Sequence, residues 1–365
     1  MKIERVIITG GGSGGHVFPA IAIADEIKRR NADVKILFVG AEGKMEMEKV
    51  PAAGYEIKGL QIIGFQRKLS FSNFLLPFKI IKSLLKARKI VKEFNPQIAV
   101  GVGGYASGPT LKAATMLKVP SAIQEQNSFP GKTNKILSKS VSKICVAYEG
   151  LERFFPKEKI TLTGNPTRKD MIETAGKEAE GYEFYGFDST KKTILIIGGS
   201  LGARTLNESV IHRLEELKAS GAQVLWQCGK LYHEKLSTEL KNTALGNVKM
   251  VQFINRMDFA YAIADVVISR AGAISVSELC LVKKPTVLVP SPNVAEDHQT
   301  KNAMALVKNR AAILIKDIEA KETLIPRVIK LLADDSESKT LINQIGSMGK
   351  PNATSDIVDV LEKLI

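Results

Sequence analysis

The residues able to do chemistry sit at the ends of short apolar runs. Arg5-Val6-Ile7-Ile8-Thr9 enters Gly10-Gly11-Gly12-Ser13-Gly14-Gly15, and His16 follows at once. Glycines let a backbone come close to a ligand, and a helix start offers unpaired N–H groups with partial positive charge. Such a loop suits a diphosphate or another anion; a tight structural turn is the plain alternative. An imidazole with an ordinary pKa near 6.5 can serve as a base at neutral pH, so His16 is either a proton acceptor for a bound hydroxyl or a structural side chain. Tyr105, in Gly103-Gly104-Tyr105-Ala106-Ser107-Gly108, and Asn127, in Gln124-Glu125-Gln126-Asn127, hold equivalent places after later apolar runs. They touch ligand or only shape their loops. Arg168, in Gly164-Asn165-Pro166-Thr167-Arg168, is a cation that reaches an anion or stays solvated.

A second glycine loop, Gly198-Gly199-Ser200-Leu201-Gly202-Ala203, follows Thr193–Ile197. The small-residue stretch Ala271–Ser277 can approach a phosphate, and Glu278 can accept hydrogen bonds from a ribose pair or complement a helix dipole. Glu296-Asp297-His298-Gln299 supplies polar groups for sugar hydroxyls. Gly10, Gly12 and Gly15 formally fit the dinucleotide fingerprint, which expects an acid at the end of the next strand. Glu42 lies past that strand, and Ser200 breaks the pattern in the second loop, so a nicotinamide oxidoreductase is a weak alternative. No D-x-D and no His/Cys cluster of metal-ligand spacing occurs, so a bound diphosphate is expected to be neutralised by backbone dipoles and basic side chains without a metal.

These positions need a repeated strand–loop–helix frame. Val34–Val39, Gln97–Val102, Ser121–Ile123 and Lys143–Val146 read as buried parallel strands in the first half. Thr193–Ile197, Val224–Trp226, Val248–Phe253, Val266–Ser269 and Thr286–Val289 do so in the second. Helices are expected at Ala20–Arg30, Thr205–Ser220 and Ser355–Ile365, and an exposed polar excursion at 173–192. One glycine loop opening each half predicts an α/β chain of two Rossmann-like, doubly wound parallel-sheet domains. The expected boundaries are 1–165, 166–345 and a C-terminal helical segment at 346–365 that packs back toward the first domain, with a hinge near Gly164–Arg168.

Composition narrows the partners. The 365 residues include 52 Lys+Arg against 38 Asp+Glu, a net charge of +14, with 44% hydrophobic residues. That balance fits a folded domain protein and excludes a disordered or collagen-like chain. Three scattered cysteines give no disulfide framework, and no run spans a bilayer, so a cytosolic chain without a signal peptide is expected. Between Gln66 and Lys92 lie eight bases and no acid, threaded with Phe71, Phe74, Leu75, Leu76, Phe78, Ile80, Ile81, Leu84 and Leu85. Ile81, Leu84, Leu85 and Arg88 share one side at helical spacing. A basic amphipathic segment suits an anionic membrane surface; the alternative is a helix packed on its sheet with a solvated basic face. Phe74, Leu75, Phe78, Lys79, Ile81, Lys82, Leu85 and Lys86 form the expected patch. Nucleic acid is disfavoured, since no recognition motif accompanies the charge.

Taken in order, Gly11–Ala20, Gly103–Pro109, Glu125-Gln126-Asn127, Gly164–Arg168, Gly198–Ala203, Ala271–Glu278 and Asp297-His298-Gln299 resemble the MurG family. These bacterial enzymes are UDP-N-acetylglucosamine:N-acetylmuramyl-(pentapeptide) pyrophosphoryl-undecaprenol N-acetylglucosamine transferases. The resemblance covers nearly the whole chain. It implies GT-B architecture, with two domains facing across a cleft, and no metal or other cofactor. It implies inverting transfer of GlcNAc from UDP-GlcNAc to the C4 hydroxyl of the MurNAc of lipid I, giving lipid II for the cell wall. By the same resemblance, His16 is the leading base, with Tyr105 and Glu125 nearby. The donor site would take in Ser13, Gly14, Gly15, Asn127, Arg168, Ser200, Ile254, Ala273, Ile274, Ser275, Val276, Ser277, Glu278 and Gln299. The Ile254 backbone would read the uracil, Glu278 the ribose, Ser200 and Arg168 the diphosphate, and Gln299 the GlcNAc hydroxyls. The first loop would face the lipid I pyrophosphate and the reacting centre. Implied partners are UDP-GlcNAc, lipid I, the anionic cytoplasmic membrane surface and other cell-wall enzymes, with a peripheral location on the inner membrane. Ser13 stands where many members have Thr, and His298-Gln299 where some have paired glutamines. Another GT-B enzyme with a different lipid-linked acceptor, and a non-enzymatic nucleotide-sugar-binding or membrane-scaffold protein, are the competing readings.

Overall fold

The computed structural model describes residues 2–62, 76–167 and 169–365, with the backbone alone at 76–79, 169–170 and 295. The chain divides into two compact units, Met1–Thr167 with Asn352–Ile365, and Arg168–Pro351. In the first, strands β1 (Arg5–Thr9), β2 (Lys35–Ala41), β3 (Glu56–Leu60), β4 (Ile98–Gly101), β5 (Ser121–Glu125), β6 (Lys143–Val146) and β7 (Ile160–Leu162) form a parallel sheet in the order β3-β2-β1-β4-β5-β6-β7. In the second, β8 (Thr193–Ile197), β9 (Gln223–Gln227), β10 (Val248–Val251), β11 (Val266–Ser269), β12 (Thr286–Leu288) and β13 (Ile313–Leu314) run β10-β9-β8-β11-β12-β13, also parallel. Their Val/Ile/Leu-rich runs are buried because helices cover both faces. Each unit is thus a doubly wound parallel-sheet domain, as expected.

In both sheets the strand order reverses beside the first strand, between β1 and β4 and again between β8 and β11. The loops leaving the carboxyl ends of such a strand pair diverge and open a crevice, where ligands bind in this class of sheet. Both glycine loops stand at these points.

The C-terminal helix Ala353–Glu362 belongs to the first unit, where Ile357, Val358 and Leu361 enter the core shared with Ile23 and Ile27. Each such buried side chain contributes about 1.5–3 kcal/mol. Arg30 fastens the same helix, donating to Asp359, Glu362 and Ser355, while Glu26, held down to about 2 chiefly by Arg29, completes the cluster.

Two local expectations are refined. The region 173–192 is largely exposed, as expected, but it is anchored at two points. Its helix Glu178–Tyr185 buries Gly181 against Phe259 and Ile263, and Tyr185 donates its hydroxyl to the Arg256 carbonyl at 2.8 Å. Three glutamates hid a two-residue seam too narrow to show as a period. The run Thr205–Ser220 is two helices, Arg204–His212 and Leu214–Ala219, broken where Arg213 leaves helical dihedrals.

Candidate functional site

In the first unit, the turn after β1 is locked by groups far apart in sequence. Glu46, 1% exposed, accepts from Gly12 N at 2.8 Å and Ala41 N at 3.0 Å, joining the glycine loop to the end of β2. On the other side Gly11 N donates to the Gly103 carbonyl. Gly104 has φ +85°, and a Cβ there would lie 2.3 Å from the Gly11 carbonyl oxygen. Only glycine fits that crossing of two loops. Ser13 caps the helix Gly14–Arg30 with an extended backbone but gives no side-chain cap bond, so its exposed hydroxyl and the first helical N–H groups face outward.

His16, on the first turn of that helix, lies against Gly103: a Cβ on the glycine would be 2.8 Å from His16 Cε1. Its Nδ1 is 3.0 Å from Gln126 Oε1. Burial is the largest influence on the imidazole and lowers its pKa below the ordinary 6.5; Glu125, the bonds to Gln126 and Val102, and Glu46 act the other way. The shift favours the uncharged ring, the form a base needs. Tyr105, 56% exposed on the adjoining loop, is open to a ligand.

Glu125 is placed otherwise than a catalytic acid or base requires. It is 1% exposed, and its carboxylate accepts from Asn127 N and Nδ2, Gly131 N, and Asn134 Nδ2 at 2.8 Å. The anion is consumed in shaping the 126–131 loop, and it acts on His16 only as a nearby charge. Asn127 belongs to this same loop, in the first unit.

The second unit repeats the construction. A Cβ on Gly229 (φ +87°) would meet the Gly202 backbone at 2.1 Å, so the loop after β9 presses on the second glycine loop. Lys230 N and Leu231 N donate to the Ser200 and Leu201 carbonyls, and Ser200 is held exposed at the crest. Beside it, Gly272 caps the helix Ala273–Val282, which presents Ala273, Ile274, Ser275, Val276 and Ser277 in its first turns; Val276 alone among them is buried. The Glu278 carboxylate is hydrogen-bonded by the buried Tyr261 hydroxyl, whose own pKa is driven well up by burial and by Glu278. Ile254 tucks its side chain into the core, 3% exposed, leaving its backbone to the loop ahead of the helix Met257–Ile263. Gln299 accepts from Ser291 N at 2.8 Å, fixing its amide between the loop after β12 and the helix His298–Val307. Glu296 and Asp297 precede that helix with φ +55° and +53°, a strained left-handed pair of the kind that gathers at functional loops.

Several organising residues escaped the sequence reading. Glu46 lies in an ordinary charged run, and only the fold brings it under Gly12. Arg270 donates to the Val289 and Pro290 carbonyls and pairs with Asp317, tying β11 to β12 and to the segment Asp317–Glu319. Neither has a local signature. Arg168, Phe74 and Leu75 lie outside the described residues, as do the side chains of Phe78 and Lys79.

The helix Leu76–Phe94 answers the question of which side is buried. Ser83, Ala87, Ile90 and Val91 face inward, while Ile80, Ile81 and Leu85 are 56%, 56% and 60% exposed beside exposed Lys82, Arg88 and Lys89. The expected stripe of Ile81, Leu84, Leu85 and Arg88 is thus mainly the outer face, because Ala87, Ile90 and Val91 are the residues that enter the core. Lys86 is less free than its neighbours, pairing with Glu42 at 2.9 Å. No helix among the described residues is long and apolar enough to cross a membrane, and none of their His/Cys/Asp/Glu groups could hold a metal ion.

Two doubly wound units, each with a braced glycine loop at its switch point, are the frame of a GT-B-like glycosyltransferase. Residues 6–146 match the glycosyltransferase family 28 N-terminal domain and residues 193–357 its C-terminal domain. The chain is 54% identical over 365 residues, 100% of its length and 99% of the relative's, to a UDP-N-acetylglucosamine--N-acetylmuramyl-(pentapeptide) pyrophosphoryl-undecaprenol N-acetylglucosamine transferase of Parabacteroides distasonis. It is 52% identical, with 100% and 99% coverage, to the same-named protein of Flavobacterium psychrophilum. A crystal structure of Acinetobacter baumannii MurG superposes with TM-score 0.79 at 28% identity, covering 99% of both chains. A UDP-GlcNAc 2-epimerase from Neisseria meningitidis, bound to UDP-GlcNAc, shares the fold at 16% identity and TM-score 0.68, covering 98% and 100% of the two chains. The chain belongs to the MurG family of N-acetylglucosamine transferases.

Proposed function

We propose that this protein transfers GlcNAc from UDP-GlcNAc to the C4 hydroxyl of the MurNAc of lipid I, giving lipid II and UDP in peptidoglycan synthesis. The observation that carries the reading, beside family membership, is His16: a half-buried imidazole on the first turn of a helix at a sheet's switch point, its Nδ1 3.0 Å from Gln126 Oε1.

The first unit is the acceptor side. The outward N–H groups and hydroxyl of Ser13, Gly14 and Gly15 suit the lipid pyrophosphate by charge and by hydrogen bonding. His16 accepts the C4 hydroxyl proton as the oxygen attacks the anomeric carbon; the bond from that carbon to the UDP phosphate oxygen breaks, and UDP leaves with the electron pair. One displacement inverts the centre. Tyr105 contacts the acceptor, Glu125 shapes its loop, and Asn127 on that loop contacts UDP-GlcNAc.

The second unit is the donor side. Ser200 and Arg168 meet the diphosphate, the Ile254 backbone reads the uracil, Ala273–Ser277 line the nucleotide, Glu278 takes the ribose hydroxyls, and the Gln299 amide takes GlcNAc. Tyr261 supports this reading by aiming the Glu278 carboxylate.

The exposed Ile80, Ile81 and Leu85 with Lys82 and its basic neighbours suit an anionic lipid surface and support a peripheral location on the cytoplasmic face of the membrane. Radiolabelled GlcNAc supplied as UDP-GlcNAc with a lipid I analogue is the direct test, run with and without chelator. Label should move to the lipid in both. UDP release that ignores lipid I, or label on a different acceptor, would overturn the assignment; loss of transfer on chelation would overturn its metal independence.

A further inference from the structure

We propose that Gln126 is a positioning residue that fixes the tautomer of His16, holding the proton on Nδ1 so that Nε2 presents its lone pair to the acceptor. This deepens the reading of His16 as base and rests on it.

Gln126 is 1% exposed. Its Nε2 donates to the Val102 carbonyl at 2.7 Å, to the Gln124 carbonyl at 3.2 Å and to Gln124 Oε1. All three are acceptors, and two are backbone oxygens that can be nothing else. The amide therefore cannot turn over without setting its oxygen against three oxygens. Its Oε1 is left facing His16 Nδ1 at 3.0 Å and requires a proton there.

The polarity is anchored at the far end too. Gln124 Nε2 donates to Asn165 Oδ1 at 3.0 Å, and Asn165 Nδ2 donates to the Gln126 carbonyl at 3.0 Å. Gln124 and Asn165 are buried as well. One closed circuit of three side-chain amides runs from the Gly164–Thr167 segment to the imidazole, with Gln126 and Asn165 oriented by backbone carbonyls and Gln124 by the two of them. The opposite tautomer, with the proton on Nε2, would point a donor at the hydroxyl that must lose its proton, and no general base would remain.

The experiment is nitrogen NMR on the full-length protein with labelled histidine at pH 8, where imidazoles are neutral. His16 is assigned among the four histidines by comparison with His16→Gln. Wild type should show a protonated Nδ1 and a bare Nε2. Gln126→Met removes the acceptor and should shift His16 toward the Nε2–H form or a mixture, with kcat falling by ~10²-fold or more, within the ~10²–10⁴ that a positioned base supplies, and UDP affinity changed less than twofold. Gln126→Glu restores an acceptor toward Nδ1 and should restore the Nδ1–H signature; it remains informative where Gln126→Met fails to fold. A wild-type His16 protonated on Nε2, or an unchanged tautomer in folded Gln126→Met, overturns the proposal. Undiminished turnover in His16→Gln would instead overturn the base assignment and leave the tautomer result standing.

Discussion

Glu46→Gln isolates the brace beneath the first glycine loop. The carboxylate accepts one backbone N–H on each oxygen, from Gly12 at 2.8 Å and from Ala41 at 3.0 Å. Glutamine keeps the shape and one acceptor, but its NH₂ must face the other N–H, leaving two donors in opposition. Hydrogen bonds to a charged group contribute about 1.5–3 kcal/mol, and a buried donor left unsatisfied costs about 1–3 kcal/mol. Loss of one bond with weakening of the other places the expected destabilisation at about 2–4 kcal/mol. In a unit of this size each kcal/mol lowers Tm by about 2–4 °C, so the melting transition of the first unit should fall by about 5–15 °C. The side chain cannot retreat, since Gly11 and Gly40 press on it: a Cβ on either would lie within 2.1 and 2.6 Å of its atoms. Calorimetry separates this from effects on the second unit, and saturating UDP should not restore the lost stability. Transfer should also fall, chiefly in kcat, because Gly12 immediately precedes Ser13. A melting point within 1 °C of wild type would refute the claim that the carboxylate holds the loop.

His16→Ala should cost ~10²–10⁴ in kcat while UDP affinity, read by titration, stays near wild type. Because burial lowers the His16 pKa, the acid limb of the kcat/KM profile should lie below pH 6.5; a limb above it contradicts the neutral-imidazole reading. The sign for stability follows: the unfolded chain takes up this proton first as pH falls, so the first unit loses stability between the unfolded and folded pKa values on acidification. Gln299→Ala removes the amide and frees the Ser291 N–H, and should raise the donor KM by ~5–30-fold, equivalent to about 1–2 kcal/mol; initial rates across UDP-GlcNAc concentrations check it. Charge reversal at Lys79, Lys82 and Lys86 should weaken binding to anionic vesicles, by about 1 kcal/mol or more for each base near the surface, with Lys82→Glu exceeding Lys86→Glu because Lys86 already faces Glu42. Unchanged sedimentation with vesicles would return the helix to a purely structural part.

The sequence by itself determined the repeated frame. Short β-branched runs ending in glycine have few alternatives to buried parallel strands feeding helix starts, so β1, β8 and most of their neighbours were legible, and with them the places of His16, Tyr105 and Ser200. Local period also revealed the basic helix, but not its orientation. That depended on Ala87, Ile90 and Val91 being the residues that enter the core, which is a packing question. The tertiary structure alone decided what each polar group spends its hydrogen bonds on. Glu125, in reach of the reacting centre on the sequence reading, is consumed by Asn127, Gly131 and Asn134. Glu46, unremarkable in sequence, became the support of Gly12, and Gln126 acquired its fixed orientation from Val102, Gln124 and Asn165. Residue type sets which bonds a side chain can make. Which of them it makes is set by the partners the fold supplies, some within one loop, as for Glu125, and others tens of residues away, and the distant ones meet only when the sheet order places β1 between β2 and β4.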